Sequence, residues 1–329
     1  MIIDVHAHVL SNTFMAELAR DKTFGIELMD DNYTYLVPAY GPFDPPIYHF
    51  EERVAGLASR GVDAQLVSPV PTLISWPGGA ADVEWARRLN QRTAESVAQS
   101  QGRFKGLATL CLGEPNRVVD ELDRALDKHG FIGVQIGTYG GDRPLDDASL
   151  DPLFGLMEKR RLIVIMHPTS ADKLERWGDY TLNTVLAWPN ETTLAVTRMI
   201  YGGVFERHPD LHLALAHGGG NLVFMRGRID LGYTAPKFER NEDCHKNISR
   251  PPSSYYRQLF FDTAVGAPEM LRFLIETVGA DRVVYGSDEP FEIADPQGEM
   301  AIPTVRSLDE QAASAILGDN LAPLLNAQH

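Results

Sequence analysis

The chain has 329 residues, with 30 lysines and arginines against 45 aspartates and glutamates, a net charge of −15, and 44% hydrophobic beside 23% charged residues. This mix belongs to a globular chain that buries a large core without disulfides or a structural metal, and its negative field disfavours nucleic acid and anionic membrane surfaces as partners. No apolar run reaches the roughly 18 residues of a membrane helix, the opening MIIDVHAHVL lacks the basic segment of an export signal, and Cys111 and Cys244 stand in no chelating spacing, so a cytoplasmic, reducing setting is expected.

From the N-terminus, a β-branched run over residues 2–6 is followed by a long segment, 10–48, and a helical pattern over 50–59. Strand-like runs then alternate with helical ones: 64–69 with 80–100, 104–110 with 116–129, and 132–137 with 150–159. Next come the strand 162–167, a second long segment at 168–191, and a helix at 192–205. The strand 211–217 precedes a helix at 222–231 and a third long segment, 233–257, rich in Pro, Asn and charge and suited to oligomer contacts. The strand 259–263 with helix 269–277, and the strand 282–287 with helix 308–326, complete the series. Runs such as LIVIM and LHLAL are apolar throughout, as parallel strands covered on both faces must be. Pro115 and Pro268 stand near the first positions of their helices, where a missing N–H costs nothing. Eight strand–helix pairs in this length predict an α/β fold, a (β/α)8 TIM barrel in one domain over 1–329, with long βα loops after strands 1 and 5.

The chemistry concentrates where those strands end. His6 and His8 form an H-x-H at the end of the first strand, and alternate strand residues share a face, so both imidazoles are placed to chelate one ion. Asp4 is expected on that same face, as a hydrogen-bond partner of a ligand or a structural residue of the strand. His167 closes the fifth apolar run before Pro168, His217 closes the sixth before three glycines, and Asp288 closes the eighth in YGSDEPF. In a barrel, strand C-termini build the active site, and packing alone does not deliver four histidines and an aspartate there. His217 reads as a general base, a further ligand or a packed strand-end residue. His208 and His212 flank the start of the sixth strand, at the wrong end for catalysis, and His129 ends a helix.

The set DVHAH, IMHP, LAHGGG and VYGSDEPF resembles the amidohydrolase superfamily, in the branch that holds aminocarboxymuconate-semialdehyde decarboxylase and related aromatic-acid decarboxylases. The likeness spans nearly the whole chain, through GVDAQLVSP, GVQIGTYGGDRPLDDASLDPLF, ERHPDLHLALAHGGGNLVFMRGRID and RPPSSYYRQLFFDTAV. It implies that His6, His8, His167 and Asp288 ligate one divalent metal ion, zinc first and manganese second, with His217 as general base and acid beside it. The fourth strand, FIGVQIG, offers no Lys for the bridging carbamate of binuclear members. It also implies that Arg228 grips a substrate carboxylate in the neighbouring subunit's site, hence a homodimer or higher homo-oligomer. Trp177 and Phe291 match aromatic pocket positions, and His49 falls near the family's substrate-binding groups.

The implied activity is metal-dependent, O2-independent decarboxylation of a small-molecule carboxylate: a carboxymuconate-semialdehyde-like dienoate or a hydroxylated aromatic acid. The alternative is a hydrolase acting on a C–C, amide or lactone bond through the same site. Residues 23–52 contain no Lys or Arg, where the family holds an arginine for a second acidic group, and Glu289 follows Asp288 where an aromatic is usual. A substrate with fewer negative charges, or a hydroxylated one met by Tyr33, Tyr35, Tyr40 or His49, is therefore expected.

Overall fold

The structure is a computed structural model that describes residues 1–31, 33–37, 41–43, 45–74, 83–140, 143–169, 177–235 and 241–326. Its centre is an eight-stranded parallel sheet in the order β1 (Ile3–His8), β5 (Ala64–Ser68), β6 (Phe104–Thr109), β7 (Gly133–Ile136), β8 (Ile163–Met166), β9 (Leu213–Leu215), β10 (Leu259–Asp262) and β11 (Val283–Val284). The sheet closes on itself: Val5 N–H donates to the Tyr285 carbonyl at 2.9 Å and His8 N–H to the Glu289 carbonyl at 2.8 Å. Ala7 also bridges Glu289 in parallel. The expected TIM barrel is therefore the fold.

The strands form where both faces are covered. Ile3, Val5, Leu66, Leu107, Ile163, Ile165 and Phe260 pack in one buried cluster, the filled interior of a small barrel. A larger cluster joins the outer strand faces to the helices, among them α2 (Glu51–Arg60), α4 (Pro115–His129), α5 (Asp151–Lys159), α6 (Trp188–Tyr201) and α9 (Pro268–Val278). In α4, Val118, Leu122, Ala125 and Leu126 are buried, the 3.6-residue period of a helix lying on a sheet, together with Glu121, whose carboxylate is held by Arg87, Arg124 and Asn90. Pro115 opens α4 and Pro268 opens α9, as the sequence indicates.

Several boundaries differ from expectation. The first strand runs on to His8, so both histidines lie on it. Its register against β5 slips between Asp4 and Ala7, which breaks the alternation that would have put Asp4 beside the histidines. The helix expected over 80–100 is α3 (Val83–Gln99), and residues 75–82 lie outside the described part. The helix expected over 192–205 begins at Trp188 and breaks at Gly202-Gly203 before a single turn, α7 (Val204–Arg207). The stretch 308–326 is not one helix: α11 (Glu310–Ser314) passes into a π turn around Gly318 and then α12 (Ala322–Asn326). A short helix, α10 (Ala301–Arg306), precedes them.

The long segment after β1 holds a helix and a small sheet. Helix α1 (Asn12–Arg20) starts at Ser11, whose hydroxyl accepts from Phe14 N–H, a standard N-cap. A three-stranded antiparallel sheet follows, β2 (Glu27–Leu28), β3 (Tyr35–Val37) and β4 (Gly41–Phe43). Phe14, Met15, Leu18, Tyr35 and Phe43 form a separate buried cluster with Leu73, Trp85 and Leu89, so this cap is docked on α3 by its own core. Tyr40 and residues 170–176 lie outside the described part. The third long segment carries 3-10 turns at Asn241–Cys244 and Pro252–Gln258. Last in order, α8 (Leu222–Thr234) follows the three glycines.

Candidate metal centre

Four residues expected to ligate a metal converge at the C-terminal mouth of the barrel. His6, His8, His167 and Asp288 are each no more than 3% exposed. One ligand atom from each lies within 4.8 Å of every other. His6 Nε2 stands 3.2 Å from His8 Nε2, and Asp288 Oδ1 is 3.1 Å from both. The ring of His167 is 4.9 Å from that of His6 and 5.1 Å from that of His8.

This arrangement fits a divalent cation. Two ligand atoms about 2.1 Å from one ion and subtending about 90–110° stand about 3.0–3.4 Å apart, the spacing seen between the two Nε2 atoms and Oδ1. Each ligand imidazole is also tied by its other nitrogen. His6 Nδ1 meets Asp262 Oδ2 at 2.7 Å, His167 Nδ1 the Pro168 carbonyl at 2.7 Å, and His8 Nδ1 the Pro69 carbonyl at 3.3 Å. Acceptors at all three Nδ1 atoms fix the proton there and turn the Nε2 lone pairs inward. The electrostatics agree. Burial raises the Asp288 carboxyl, but the His6 charge and hydrogen bonds from His217, His6 and His8 hold it well below the usual carboxylate range. Burial lowers His6, yet the Asp288 and Asp262 carboxylates carry it up to about 10. Burial, reinforced by neighbouring imidazolium charge, drives His167 well below the ordinary value. The site thus draws in positive charge while keeping an imidazole neutral.

His217 sits beside this group. Its Nε2 is 3.3 Å from Asp288 Oδ2, while its Nδ1 is buried with no hydrogen-bond partner among the described residues. It is 17% exposed, where the ligands are closed off. It follows β9 with φ 55°, and Asp288 has φ 58°. Left-handed backbone costs a non-glycine residue roughly 1–2 kcal/mol, and such strain gathers at functional sites. The glycines after His217 are dictated by crowding: a Cβ on Gly218 would lie 2.4 Å from Val265 Cγ1, and one on Gly220 2.1 Å from the Pro189 carbonyl, both at positive φ.

Two functional residues escaped the sequence reading. Asp262 ends β10; one oxygen holds His6 and the other accepts from Gly218 N–H at 2.7 Å and Ala264 N–H at 3.1 Å. It therefore links a metal ligand to the turn that carries His217. Its position at a barrel strand end was the available signal. Trp188, hidden in what reads as a loop, lies near-parallel to His217 at 6.4 Å and edge-on to His167 at 5.7 Å. Asp4, by contrast, turns away from the imidazoles and binds Ser287 Oγ at 2.6 Å and Gln65 Nε2 at 2.8 Å.

A cavity of 510 Å³ opens from His167 and Asp288, walled by Phe43, Val70, Trp188 and Phe291, with Thr34, Thr72, Thr184 and Glu292 also in its lining. A second of 440 Å³ approaches the same aspartate from the side of His217. Phe291 packs 5.6 Å from His8. His49 stacks on Tyr33 at 4.7 Å and also touches Tyr48, inside the cap. Trp177 is half-buried, and neither it nor His49 is among the described cavity-wall residues. Arg228 is exposed on α8; Asp230 is engaged by Ser253, and Glu206 by Ser249 and Tyr255.

A family profile described as amidohydrolase matches residues 3–326, and the chain belongs to that family. The 2-amino-3-carboxymuconate-6-semialdehyde decarboxylase of Dictyostelium discoideum is 30% identical over 335 residues, covering 98% of this chain and 91% of that protein. The gamma-resorcylate decarboxylase of Rhizobium sp. (strain MTP-10005) is 27% identical over 74% of this chain and 78% of its own. Among solved structures, 5-carboxyvanillate decarboxylase LigW from Sphingomonas paucimobilis superposes with a TM-score of 0.80 at 25% identity, covering 99% of this chain and 98% of the other.

Proposed function

We propose that this amidohydrolase-family protein is a metal-dependent, O2-independent decarboxylase of a carboxylated aromatic or ring-cleavage product. The observation that carries the reading is the buried three-imidazole, one-carboxylate cluster, with His217 3.3 Å from Asp288, opening onto a largely apolar 510 Å³ cavity. His6, His8, His167 and Asp288 would hold the ion. Zinc is the proposed metal, which three imidazoles and a carboxylate suit, and manganese is the alternative. When bound, the ion supplies Lewis-acid polarisation of an oxygen beside the carboxylate-bearing carbon.

The residues divide the remaining work. Trp188 and Phe291 flank the cavity and hold a planar ring or diene. His217 Nε2 delivers a proton to the carbon that bears the carboxylate; the C–C bond then breaks, its electron pair returns to the conjugated system, and CO2 leaves. Proton transfer from a positioned imidazole is worth about 10²–10⁴-fold in rate. Thr72, Thr184 and Glu292 in the lining suit a hydroxylated substrate, and the cation-free stretch 23–52 suits one with few negative charges. His49, stacked on Tyr33 within the cap, would bear on the substrate through the cap that contributes Thr34, Phe43 and Pro45 to the wall.

Arg228 would reach the substrate carboxylate in a second copy of the chain. Support comes from α8, where Arg228 is exposed beside Phe224, 80% exposed, and Leu231, 56% exposed, an apolar face that a homodimer would cover.

The test is metal analysis of the purified protein with product assays on hydroxybenzoates, carboxymuconate semialdehydes and ring-cleavage dienoates. One ion per chain with CO2 release is the expected result. One ion with no CO2 but ¹⁸O from water in the organic product would replace the reading with the hydrolase. A protein that takes up no divalent ion would refute the site.

A further inference from the structure

Three of the four proposed metal ligands stand at the closure of the barrel, His6 and His8 on β1 and Asp288 in the stretch that follows β11. That seam is thin. β11 has only two residues, and the stretch that follows it is joined to β1 by single backbone bonds, Val5 N–H to the Tyr285 carbonyl, His8 N–H to the Glu289 carbonyl, and Asp288 N–H to the His6 carbonyl at 2.7 Å. A ligand set tolerates displacements of only about 0.2 Å, so something beyond these bonds has to fix the distance across the seam.

Helix α2 supplies two arginines at that place. Arg60 Nη2 donates to both carboxylate oxygens of Glu289 at 3.0 Å, and its Nη1 donates to the Pro296 carbonyl. Glu289 is 3% exposed and follows Asp288 directly. Gln65 Nε2 bonds the same carboxylate and, at 2.8 Å, Asp4, which in turn holds Ser287 Oγ and N–H. Arg53 Nη1 donates at 2.8 Å to the backbone carbonyl of His8, and its guanidinium lies 4.8 Å over the Phe104 ring. Its Nε and Nη2 are buried with no hydrogen-bond partner among the described residues. For stability alone, a buried ion pair does no better than apolar residues of the same shape, and unpaired guanidinium nitrogens make the arrangement worse. What this network does provide is a fixed reach from one helix to the backbone of His8 and to the residue beside Asp288.

We propose that Arg60 and Glu289, backed by Arg53, are positioning residues that set the spacing across the β1–β11 seam and thereby the affinity and ligand field of the metal centre. The inference rests on the metal-centre reading above. It makes Glu289, placed where the resembled family carries an aromatic, a determinant of metal binding although its carboxylate is engaged by Arg60 and Gln65 and is not one of the clustered ligand groups.

The test compares Arg60→Met, Glu289→Gln and the double variant Arg60→Met/Glu289→Met with the unaltered protein. Three readouts are the melting temperature of the metal-free form, zinc affinity by competition with a chromophoric chelator, and the visible spectrum after cobalt loading. Arg60→Met, which strands a buried carboxylate, should lower the melting temperature and weaken zinc binding about 10–100-fold. The double variant should recover the melting temperature but keep the weakened affinity and a shifted cobalt spectrum. Recovery of both, with an unchanged spectrum, would make the pair structural only and overturn the proposal. If the double variant does not fold, Glu289→Gln decides: it keeps the shape, and unchanged affinity and spectrum would overturn the proposal just as well. Failure of the unaltered protein to bind zinc or cobalt would overturn this proposal together with the metal centre, an outcome distinct from the other two.

Discussion

Replacing Asp262 by Asn isolates the way the metal ligands are oriented. In the native site Asp262 Oδ2 accepts from His6 Nδ1 at 2.7 Å, with both side chains 2% exposed, and Oδ1 accepts from the N–H groups of Gly218 and Ala264. Asparagine retains one oxygen, and the two backbone donors will claim it. Its amide nitrogen then faces His6 Nδ1, donor against donor. The imidazole escapes by moving its proton to Nε2, which removes the lone pair that points at the ion, or by rotating out of place. Loss of such an orienting partner weakens metal binding about 10–100-fold, or about 1.4–2.8 kcal/mol. Because the Gly218 contact survives, the melting temperature of the metal-free variant should change little. The assay is zinc competition with a chromophoric chelator, alongside thermal unfolding of the metal-free protein. A well-folded variant whose zinc affinity falls less than about threefold would refute the orientation argument, since by it one of four ligands has lost its correct tautomer.

The remaining expectations are narrower. His217→Gln should leave one ion per chain but lower kcat by about 10²–10⁴-fold; loss of the ion in parallel would make His217 a ligand instead. Gly220→Ala should destabilise the fold by about 1–3 kcal/mol in urea unfolding, since its Cβ would sit 2.1 Å from the Pro189 carbonyl at φ +64°; an unchanged midpoint would contradict that contact. Glu206, bound by Ser249 N–H and Oγ and by Tyr255, is lowered from 4.5 to about 2 by those hydrogen bonds. A depressed carboxyl stabilises the fold above its unfolded value and loses that contribution as pH falls toward its folded one. Glu206→Gln should accordingly cost roughly 1 kcal/mol at pH ~7 once solvent screening is allowed for, and progressively less below pH ~4.5. An equal loss at pH ~7 and pH ~3 would exclude the charge as its source.

Much of the site was legible because parallel strands end abruptly. A run such as LIVIM followed by His-Pro, or LHLALA followed by His-Gly-Gly-Gly, marks both the strand and the polar residue at its mouth. Four strand ends of this kind place His6, His8, His167, His217 and Asp288 together before any coordinates. Asp262 carried the same signal in LFFDT and was passed over because it has no histidine beside it. The cap sheet was not legible, since strands of two or three residues are shorter than any periodicity window. Asp4 was misplaced by a register slip, which flips the alternation and leaves no mark on the sequence. Arg53 and Arg60 carry no signal, in or next to the helical pattern over 50–59, that separates them from solvated helix residues. Arg60 is engaged by Glu289, more than two hundred positions away, and Arg53 by the His8 carbonyl and the Phe104 ring, and pairing at such distances is invisible to local pattern.

Asp288 is where these strands of argument meet. One of its oxygens lies 3.1 Å from the Nε2 atoms of His6 and His8, and the other 3.3 Å from that of His217. The candidate metal cluster and His217 therefore share one carboxylate, on a backbone held in left-handed conformation at φ 58°. Such a residue has no independent role: changing it alters metal binding and the proton position together, and a single substitution will not apportion the two effects. The same economy separates chemistry from specificity. The strand ends supply what a decarboxylase and a hydrolase of this family would share. The cavity walls, by contrast, come from four separate segments: the cap at Thr34, Phe43 and Pro45, the turn after β5 at Val70–Thr72, the start of α6, and the stretch after Asp288. Substrate choice in this barrel is thus written in loops that vary without disturbing the ion-binding strand ends, and it is at Glu292, Thr72 and Trp188, rather than at the histidines, that a change of substrate should begin.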